Sequence, residues 1–317
     1  MTTGHPPVIF LMGPTAAGKT GLAMSIADHF ATRLISVDSG QVYRGMDIGT
    51  AKLSVEEMRD YPHALIDIRD PSTPYSADEF CQDALELMRE SIVEGKIPLL
   101  VGGTMFYYRA LQYGLPDLPS ADDAVRQKLL AEATEHGWPA LYERLSQIDP
   151  VSAQRINSND RQRIQRALEI YELTGRPASE HKPSSQQVIP YDIIKIGLWP
   201  ADRSILHARI AQRLEQMFEQ GFIQEVERLH ARRELHDMLP AMRAVGYRQV
   251  IDYLNGEVDY DTMRERCIYS TRQLAKRQLT WLRHDSNVNW FDTEDVDFQE
   301  KVLDFLRKTT SVDGYAL

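Results

Sequence analysis

The 317-residue sequence has little cysteine and no long apolar run, and these two shortages exclude several classes of protein. Its two cysteines, Cys81 and Cys267, lie far apart and form no CxxC pair. That argues against a disulfide framework and a structural zinc site, and it favours a reducing compartment. The first seven residues carry no basic cluster, and the apolar run behind them covers only residues 8–12. We therefore expect a cytoplasmic protein with neither a signal peptide nor a membrane span.

Positive charge is also scarce on average. The chain has 36 lysines and arginines against 46 acidic residues, which gives a formal net charge of −10. Because proteins bind a phosphate backbone through concentrated positive charge, this average argues against a nucleic-acid partner. The local distribution of basic residues must therefore decide the question.

Four short apolar runs, each ending in turn-like residues, predict strands that are buried on both faces, as in a parallel sheet. Amphipathic helical patterns separate these runs, so we expect an α/β fold with a phosphate-loop, parallel-sheet core and a helical C-terminal part. Residues 116–191 lack strand patterns and predict an inserted helical domain, which leaves 1–115 plus 192–317 as the core. The four predicted strands cover residues 8–12, 34–37, 98–101 and 193–199.

A phosphate-binding loop follows the first predicted strand and precedes a predicted helix. Residues 13–20 match the pattern GxxxxGK[ST], in which glycines let backbone amides wrap an anion, the lysine adds charge and the hydroxyl holds Mg²⁺. A tight turn without a ligand is the alternative, and the strand and helix on either side argue against it. The residues of this predicted loop are Gly13, Pro14, Thr15, Ala16, Ala17, Gly18, Lys19 and Thr20.

The strand that ends at Val101 lacks the carboxylate that kinases and nucleotide hydrolases usually place there. The carboxylate instead follows residues 34–37, as Asp38, while Gly102, Gly103 and Thr104 follow the other strand. Because ligands gather at the carboxyl ends of parallel strands, we expect the loop, Asp38 and Thr104 to surround one crevice. Each of the two side chains could instead cap the segment that follows it.

Three basic clusters stand out against the acidic average. On a helix over residues 263–283, Met263, Cys267, Leu274 and Trp281 share one face, while Arg272, Lys276 and Arg283 share the opposite face. A solvated helix face explains one such stripe, but three clusters in an acidic chain favour a polyanionic partner. The clusters are residues 155–166 with Arg155, Arg161, Arg163 and Arg166, residues 242–249 with Arg243 and Arg248, and residues 267–283 with Arg272, Lys276, Arg277 and Arg283.

Together these motifs resemble the bacterial tRNA dimethylallyltransferases, in order, from about residue 8 to residue 290. The phosphate loop is generic, but the blocks at 38–52 and 271–278 are specific to that family. Arg161 departs from the family, since many bacterial relatives have proline there. The matching segments are GPTAAGKT at 13–20, DSGQVYRGMDIGTAK at 38–52, LIDI at 65–68, VGGT at 101–104, VGYRQ at 245–249 and TRQLAKRQ at 271–278.

The resemblance implies transfer of a dimethylallyl group from dimethylallyl diphosphate to N6 of adenosine 37 in tRNA, with a helical insertion that clasps the anticodon stem-loop. The loop would bind the prenyl diphosphate instead of ATP, with Mg²⁺ near Thr20. Asp38 would be the general base, and Thr104 would line the reaction channel. We expect a monomer. The residues expected to contact tRNA are Asp38, Ser39, Gly40, Gln41, Thr104, Arg126, Gln162, Arg163, Ile164, Gln165, Arg166, Arg243, Gly246, Tyr247, Arg248, Lys276, Arg277 and Arg283.

Two other functions remain open from the residues alone: a phosphate-loop small-molecule kinase, and an RNA-binding nucleotide switch without group transfer. The first explains the loop but neither the missing strand-end acid nor the basic clusters. The roles of Arg243 and Arg248 are also open, because each could reach either the diphosphate or the RNA.

Overall fold

The computed structural model describes residues 5–181, 189–236 and 239–310. The chain divides into two compact units, Met1–Leu111 with Ile189–Leu317, and Gln112–Val188. We call the first the sheet unit and the second the helical unit. The helical unit begins four residues before the predicted insertion and ends three residues before its predicted end.

The sheet unit is built on a parallel sheet of six strands within the described residues, in the order β3-β2-β4-β1-β5-β6. All four predicted strands are present, which confirms the α/β core. Two further strands were not predicted, because β3 has only two residues and β6 is a partly exposed edge strand in which polar residues interrupt the apolar ones. The strands are β1 Pro7–Met12, β2 Thr32–Val37, β3 His63–Ala64, β4 Ile97–Gly102, β5 Asp192–Trp199 and β6 Val288–Asp292.

Strand β1 lies at the centre, paired with β4 on one side and β5 on the other. Its residues alternate between two apolar layers, because successive side chains of a strand point to opposite faces. Phe10 and Met12 enter one hydrophobic cluster, while Ile9 and Leu11 enter the other. Because β1, β2 and β4 run parallel, the loops that follow them lie together at the carboxyl edge of the sheet.

Helices cover both faces of this sheet. Ser76, for example, starts α3 with a capping box in which its hydroxyl accepts from the Glu79 amide and the Glu79 carboxylate accepts from the Ser76 amide. No helix in the described part of the chain is long and apolar enough to cross a membrane. The helices of the sheet unit are α1 Lys19–His29, α2 Val55–Asp60, α3 Ala77–Val93, α4 Met105–Tyr113, α9 Arg203–Glu219, α10 Phe222–His230, α11 Tyr247–Leu254, α12 Tyr260–Arg283 and α13 Phe298–Thr310.

The helical unit packs its helices around a core of its own that includes Leu129, Leu141 and Leu168. Helix α8 begins at Arg161, and the Asp160 side chain caps it by accepting from the Arg163 amide. The departure from proline at position 161 thus leaves a well-capped helix. The helices are α5 Asp123–His136, α6 Trp138–Ile148, α7 Pro150–Arg155 and α8 Arg161–Thr174, followed by a 3₁₀ turn at Ala178–Glu180.

The predicted core face of the long helix α12 is partly wrong. Met263 and Cys267 are fully buried, but Trp281 is 42% exposed, and the buried residues of the later turns are Ala275, Leu279 and Leu282. The buried face rotates because the last turns of α12 pack against α9, with Ala275 and Leu279 contacting Leu206 and Ile210. Trp281 instead carries the guanidinium of Arg109 over its ring.

Candidate active site

The predicted phosphate loop has the backbone that its sequence requires. It runs from the end of β1 to the start of α1, with Ala16 and Gly18 in the left-handed region at φ +63° and +82°. Gly13 passes so close to β5 that a Cβ there would lie 2.9 Å from the carbonyl oxygen of Leu198. The amine of Lys19 folds onto the loop and donates to the carbonyl of Pro14 at 2.7 Å. The loop is therefore packed in place by its neighbours.

Helix α9 supplies a wall beside the loop that sequence reasoning missed. A cavity of about 360 Å³ lies between residues 16–20 and one polar face of α9. The four residues of that face are spaced i, i+3, i+4 and i+7, and this helical spacing is the signal that the sequence offered. The spacing does not show that the face lies against the phosphate loop, because Thr15 and Arg213 are 198 residues apart. Arg213 reaches the loop, with Nη1 3.5 Å from the Thr15 hydroxyl. The face consists of Arg209, Gln212, Arg213 and Gln216.

Charges interact strongly around this cavity. Burial, followed by the nearby Arg213 guanidinium, lowers the pKa of Lys19 to about 8, while Asp38 opposes the shift. Burial also lowers the pKa of Arg213, again against the effect of Asp38. One carboxylate therefore acts on both cations, which puts Asp38 near the loop, as predicted from its position after β2.

Asp38 and Thr104 end neighbouring strands and are joined through Ser39. The Thr104 hydroxyl accepts from the Ser39 amide at 3.1 Å. Asp38 Oδ1 accepts from the amides of Gly40 and Gln41 at 2.8 and 3.3 Å, so the capping alternative describes part of its role. In the described residues Oδ2 takes no hydrogen bond, and the turn leaves that oxygen for another group.

The segment after Asp38 has almost no regular structure, and a buried carboxylate that was not predicted holds it. Glu225 from α10 accepts from the amides of Asp47, Ile48 and Gly49 at 2.9, 2.7 and 3.1 Å. It also accepts from the Tyr247 hydroxyl at 2.6 Å. Gly49 has no room for a side chain, since a Cβ would lie 2.2 Å from the Phe222 ring.

Gln41 ties this segment back to β2. Its Oε1 accepts from the hydroxyl of Ser36 at 3.1 Å, and its Nε2 donates to the carbonyls of Thr50 and Ala51 at 3.3 and 3.4 Å. Lys52 closes the other end by donating to the Tyr43 carbonyl at 2.6 Å and pairing with Asp47 and Asp67. Residues 39–52 therefore form one loop that hydrogen bonds hold in place directly after Asp38.

Helix α12 contributes Gln278, which joins the phosphate loop to the end of β4. Its Oε1 accepts from the Thr15 amide at 2.9 Å, and its Nε2 donates to the Gly103 carbonyl at 2.9 Å. Lys276 and Arg277, just before it, are exposed, and Arg283 lies over the Trp199 ring at 4.9 Å from its centroid. Helix α12 therefore contacts the phosphate loop through Gln278 and exposes basic side chains to solvent.

Two of the residues expected to contact tRNA in the sheet unit are buried instead. Tyr247 is fully buried against Phe222, with its hydroxyl on Glu225, so its side chain supports the fold at this point, and its expected tRNA contact stays a prediction. Gly246, also buried, takes φ +94° and starts α11. Arg243 and Arg248, on either side, are exposed. The VGYRQ motif therefore builds a buried anchor between two exposed arginines.

In the helical unit, a second buried carboxylate organises the arginines. Glu169 is fully buried and accepts from Arg126 Nε at 3.0 Å and from Arg166 Nη1 at 2.8 Å. Gln165 donates to the carbonyl of Arg126 at 3.2 Å, which also joins α8 to α5. Ile164 is fully buried in the core of the unit, and its expected tRNA contact stays a prediction. Gln162 and Arg163 are exposed.

The described residues contain no group of three or more histidine, cysteine or acidic side chains that could hold a metal ion. Thr20, at the start of α1, has an exposed side chain beside the cavity. Mg²⁺ usually keeps several waters and is held by few protein groups together with substrate phosphates. This donor set fits such an arrangement and does not fit a metal cage made by protein alone.

Comparisons with known proteins agree with one another. The family model described as IPP transferase matches residues 41–285. The chain is 53% identical over 301 residues to a tRNA dimethylallyltransferase of Legionella pneumophila (strain Corby), covering 95% of this chain and 96% of that protein. It is 53% identical over 312 residues to a tRNA dimethylallyltransferase 2 of Hahella chejuensis, covering 94% of each. The solved tRNA isopentenylpyrophosphate transferase of Bacillus halodurans is 39% identical, with a TM-score of 0.70 and 96% of both chains covered.

Proposed function

Because this chain belongs to the IPP transferase family, we propose that its site transfers a dimethylallyl group from dimethylallyl diphosphate to N6 of adenosine 37 of tRNA. The chain is a prenyl transferase that acts on tRNA, as its motifs predicted, and the relatives do not favour a kinase or a nucleotide switch. One observation carries the assignment of the site: two cations, Lys19 and Arg213, line a cavity beside the phosphate loop, and Arg213 reaches that loop at Thr15.

The cations would stabilise the leaving group. As the bond from the allylic carbon to the diphosphate oxygen breaks, negative charge grows on that oxygen, and donors already in place stabilise it without reorganising. Lys19 and Arg213 line the cavity, and the backbone amides at the start of α1 would add further donors. Arg209 lines it one turn earlier on α9 and is held by the hydroxyl of Thr293 at 3.0 Å.

Asp38 would act as the general base. The amine of adenine is a weak nucleophile because its lone pair is delocalised into the ring, so a proton must leave N6 as the new N–C bond forms. The two turn amides fix Asp38 Oδ1, which leaves Oδ2 for that proton. Thr104, held through Ser39, would line the channel through which the base enters. The adenosine must leave the stack to reach this position, which costs least in a single-stranded loop.

We place Mg²⁺ on the diphosphate, with the Thr20 hydroxyl as its protein ligand. Bound there, the ion would neutralise charge that develops on the leaving group. The support is the position of Thr20 beside the loop and the small number of protein donors around it.

The tRNA would contact basic side chains in each unit. We assign phosphate contacts to Arg243, Arg248, Lys276, Arg277 and Arg283 in the sheet unit, since cations in solvent bind phosphates at little desolvation cost. In the helical unit we assign them to Arg126, Arg163 and Arg166, and we assign the exposed Gln162 to the same surface. Ser39, Gly40 and Gln41 would meet the RNA beside Asp38. We also propose that the protein is a cytoplasmic monomer, as expected from the sequence.

The deciding experiment incubates the protein with Mg²⁺, dimethylallyl diphosphate and unmodified tRNA, then measures nucleoside masses after digestion. The expected result is the mass of one dimethylallyl group on a single adenosine, mapped to position 37 by fragment analysis. A tRNA with guanosine at position 37 serves as the matched control and should gain no mass. Hydrolysis of ATP under the same conditions, without prenyl transfer, would contradict the proposal.

A further inference from the structure

Gln278 reaches two separate parts of the proposed site with one side chain. Its partners, the Thr15 amide and the Gly103 carbonyl, lie 263 and 175 residues away in sequence. The first belongs to the loop proposed to bind diphosphate. The second immediately precedes Thr104, whose hydroxyl holds the Ser39 amide next to Asp38. We propose that Gln278 is a positioning residue that holds the phosphate loop at a fixed distance from the general base, and this proposal deepens the function assigned above and rests on it.

The chemistry of the two partners requires a glutamine. A backbone amide needs an acceptor and a backbone carbonyl needs a donor, and a planar carboxamide supplies both from one group. Glutamate keeps the acceptor but loses the donor, and lysine and arginine have no acceptor. The side chain of asparagine is one carbon shorter, so its carboxamide would not reach from the backbone of α12 to both partners.

The surroundings leave this side chain little alternative. Gly103 packs directly under it, and a Cβ on Gly103 would lie 2.4 Å from Gln278 Nε2. Thr15 is held on its other side by Arg213, which reaches its hydroxyl. The loop is therefore clamped between α9 and α12, and the α12 side of the clamp is Gln278 alone among the hydrogen bonds of the described residues.

Position matters because the reaction needs two distances at once. N6 must lie within reach of Asp38 while the allylic carbon, still bonded to the diphosphate, lies within reach of N6. Small errors in such an arrangement reduce the rate strongly, and a displacement of about 1 Å can cost 100-fold. Release of the loop from Gln278 would change the distance between base and leaving group without removing either.

The test uses two variants that break the same contact from opposite sides. Gln278→Ala removes the side chain, and Gly103→Ala pushes it away, since position 103 is not in the left-handed region. Each should lower kcat/KM for dimethylallyl diphosphate by about 10- to 100-fold while the Kd for tRNA stays within about twofold. The double variant should lower kcat/KM no more than Gln278→Ala alone, because Gln278→Ala removes the two side-chain atoms, Nε2 and Cδ, that lie closest to the new Cβ of residue 103. Gln278→Glu, which keeps the size and the acceptor, should fall in the same range.

The control is Gln82→Ala, since Gln82 is an exposed helical glutamine whose Nε2 donates to Asp78 at 2.9 Å, far from the site. Normal kinetics in Gln278→Ala and Gln278→Glu would overturn the positioning role, as would additive losses in the double variant or an equal loss of tRNA affinity. Calorimetry with Mg²⁺ and inorganic diphosphate measures the diphosphate affinity of each variant, and this quantity does not depend on prenyl transfer. If the unsubstituted enzyme prenylates no tRNA, the proposed function fails, whereas the diphosphate affinity of the variants still reports on the loop.

Discussion

Among the described residues two glutamates are buried, one in each unit, and they bind opposite kinds of group. Glu225 in the sheet unit accepts only from neutral donors, three backbone amides and the Tyr247 hydroxyl. Glu169 in the helical unit accepts from two guanidinium groups and from the Asp122 amide. Glu225 fixes a backbone, whereas Glu169 gathers cations.

The difference separates two tasks. Glu225 holds the loop that follows Asp38, where the proposed chemistry needs fixed atoms. Glu169 carries one negative charge against two positive ones, so its surroundings keep a net charge of about +1, and the side chains of Arg126 and Arg166 remain 40% and 32% exposed. We therefore expect substitutions around Glu225 to change turnover, and those around Glu169 to change tRNA affinity.

The largest effect is expected for Asp38→Asn. Loss of the general base should lower the single-turnover rate by about 100- to 10,000-fold, while tRNA affinity changes by less than about twofold. Rapid-quench prenylation together with filter binding measures both quantities. A rate equal to that of the unsubstituted enzyme would remove Asp38 from the role of base.

The two glutamates should respond differently to the same substitution. Glu225→Gln puts an amide NH₂ among four donors, so the local free energy of opening should fall by about 2–3 kcal/mol. Glu169→Gln should cost less, about 1 kcal/mol, because its partly exposed arginines can turn to water. Hydrogen exchange of the amides of 47–49 and of Asp122 reports each site separately. A larger fall in the free energy of opening at Asp122 than at residues 47–49 would contradict this prediction.

Diphosphate binding to the sheet unit should depend on pH through Lys19. Its lowered pKa of about 8 means that the free enzyme carries the ammonium below that pH and loses it above. The ratio of diphosphate affinity between the unsubstituted enzyme and Lys19→Met, in which the ionisation of the ligand itself cancels, should be level below pH 8 and fall by up to about tenfold per pH unit above it. Lys19→Met should bind diphosphate weakly at every pH. A ratio that stays level through pH 8 and above would assign the titration to another group.

The smallest effects are expected for exposed cations. Lys276→Ala should weaken tRNA binding by only a few-fold and reduce the slope of log affinity against log salt by about 0.7–0.9. Arg163→Ala, in the helical unit, should do the same without changing turnover at saturating tRNA. Lys308→Ala on α13, a basic helix residue outside the proposed tRNA surface, serves as the control and should leave the slope unchanged.

The core of the fold could be predicted because its signals are local. The run at 8–12 is apolar throughout, the run at 193–199 has one charged residue, Lys195, and the loop at 13–20 has glycines where the backbone needs them, as with φ +82° at Gly18. Asp38 and Thr104 followed from the rule that strand ends share an edge. The family could be named because its motifs are dense in this chain.

The supporting residues could not be predicted, because their partners are remote. Arg213, Gln278 and Glu225 contact residues 198, 263 and about 177 positions away, and a lone arginine, glutamine or glutamate in a helix carries no sign of such a contact. Tyr247 shows the same limit. It lies between Arg243 and Arg248 in sequence, and only the fold reveals that its side chain turns inward to Glu225.

The order of strands around β1 has a consequence for synthesis on the ribosome. Strand β4 ends at Gly102, but β5, which covers the other edge of β1, is complete only at Trp199. At about 5–20 residues per second, roughly 5–20 s pass between these two events. For that time the all-apolar strand Pro7–Met12 has one open edge, a template for pairing with other chains. Aggregation of nascent chains, and dependence on a chaperone that shields this edge, should therefore peak while the helical unit is being made.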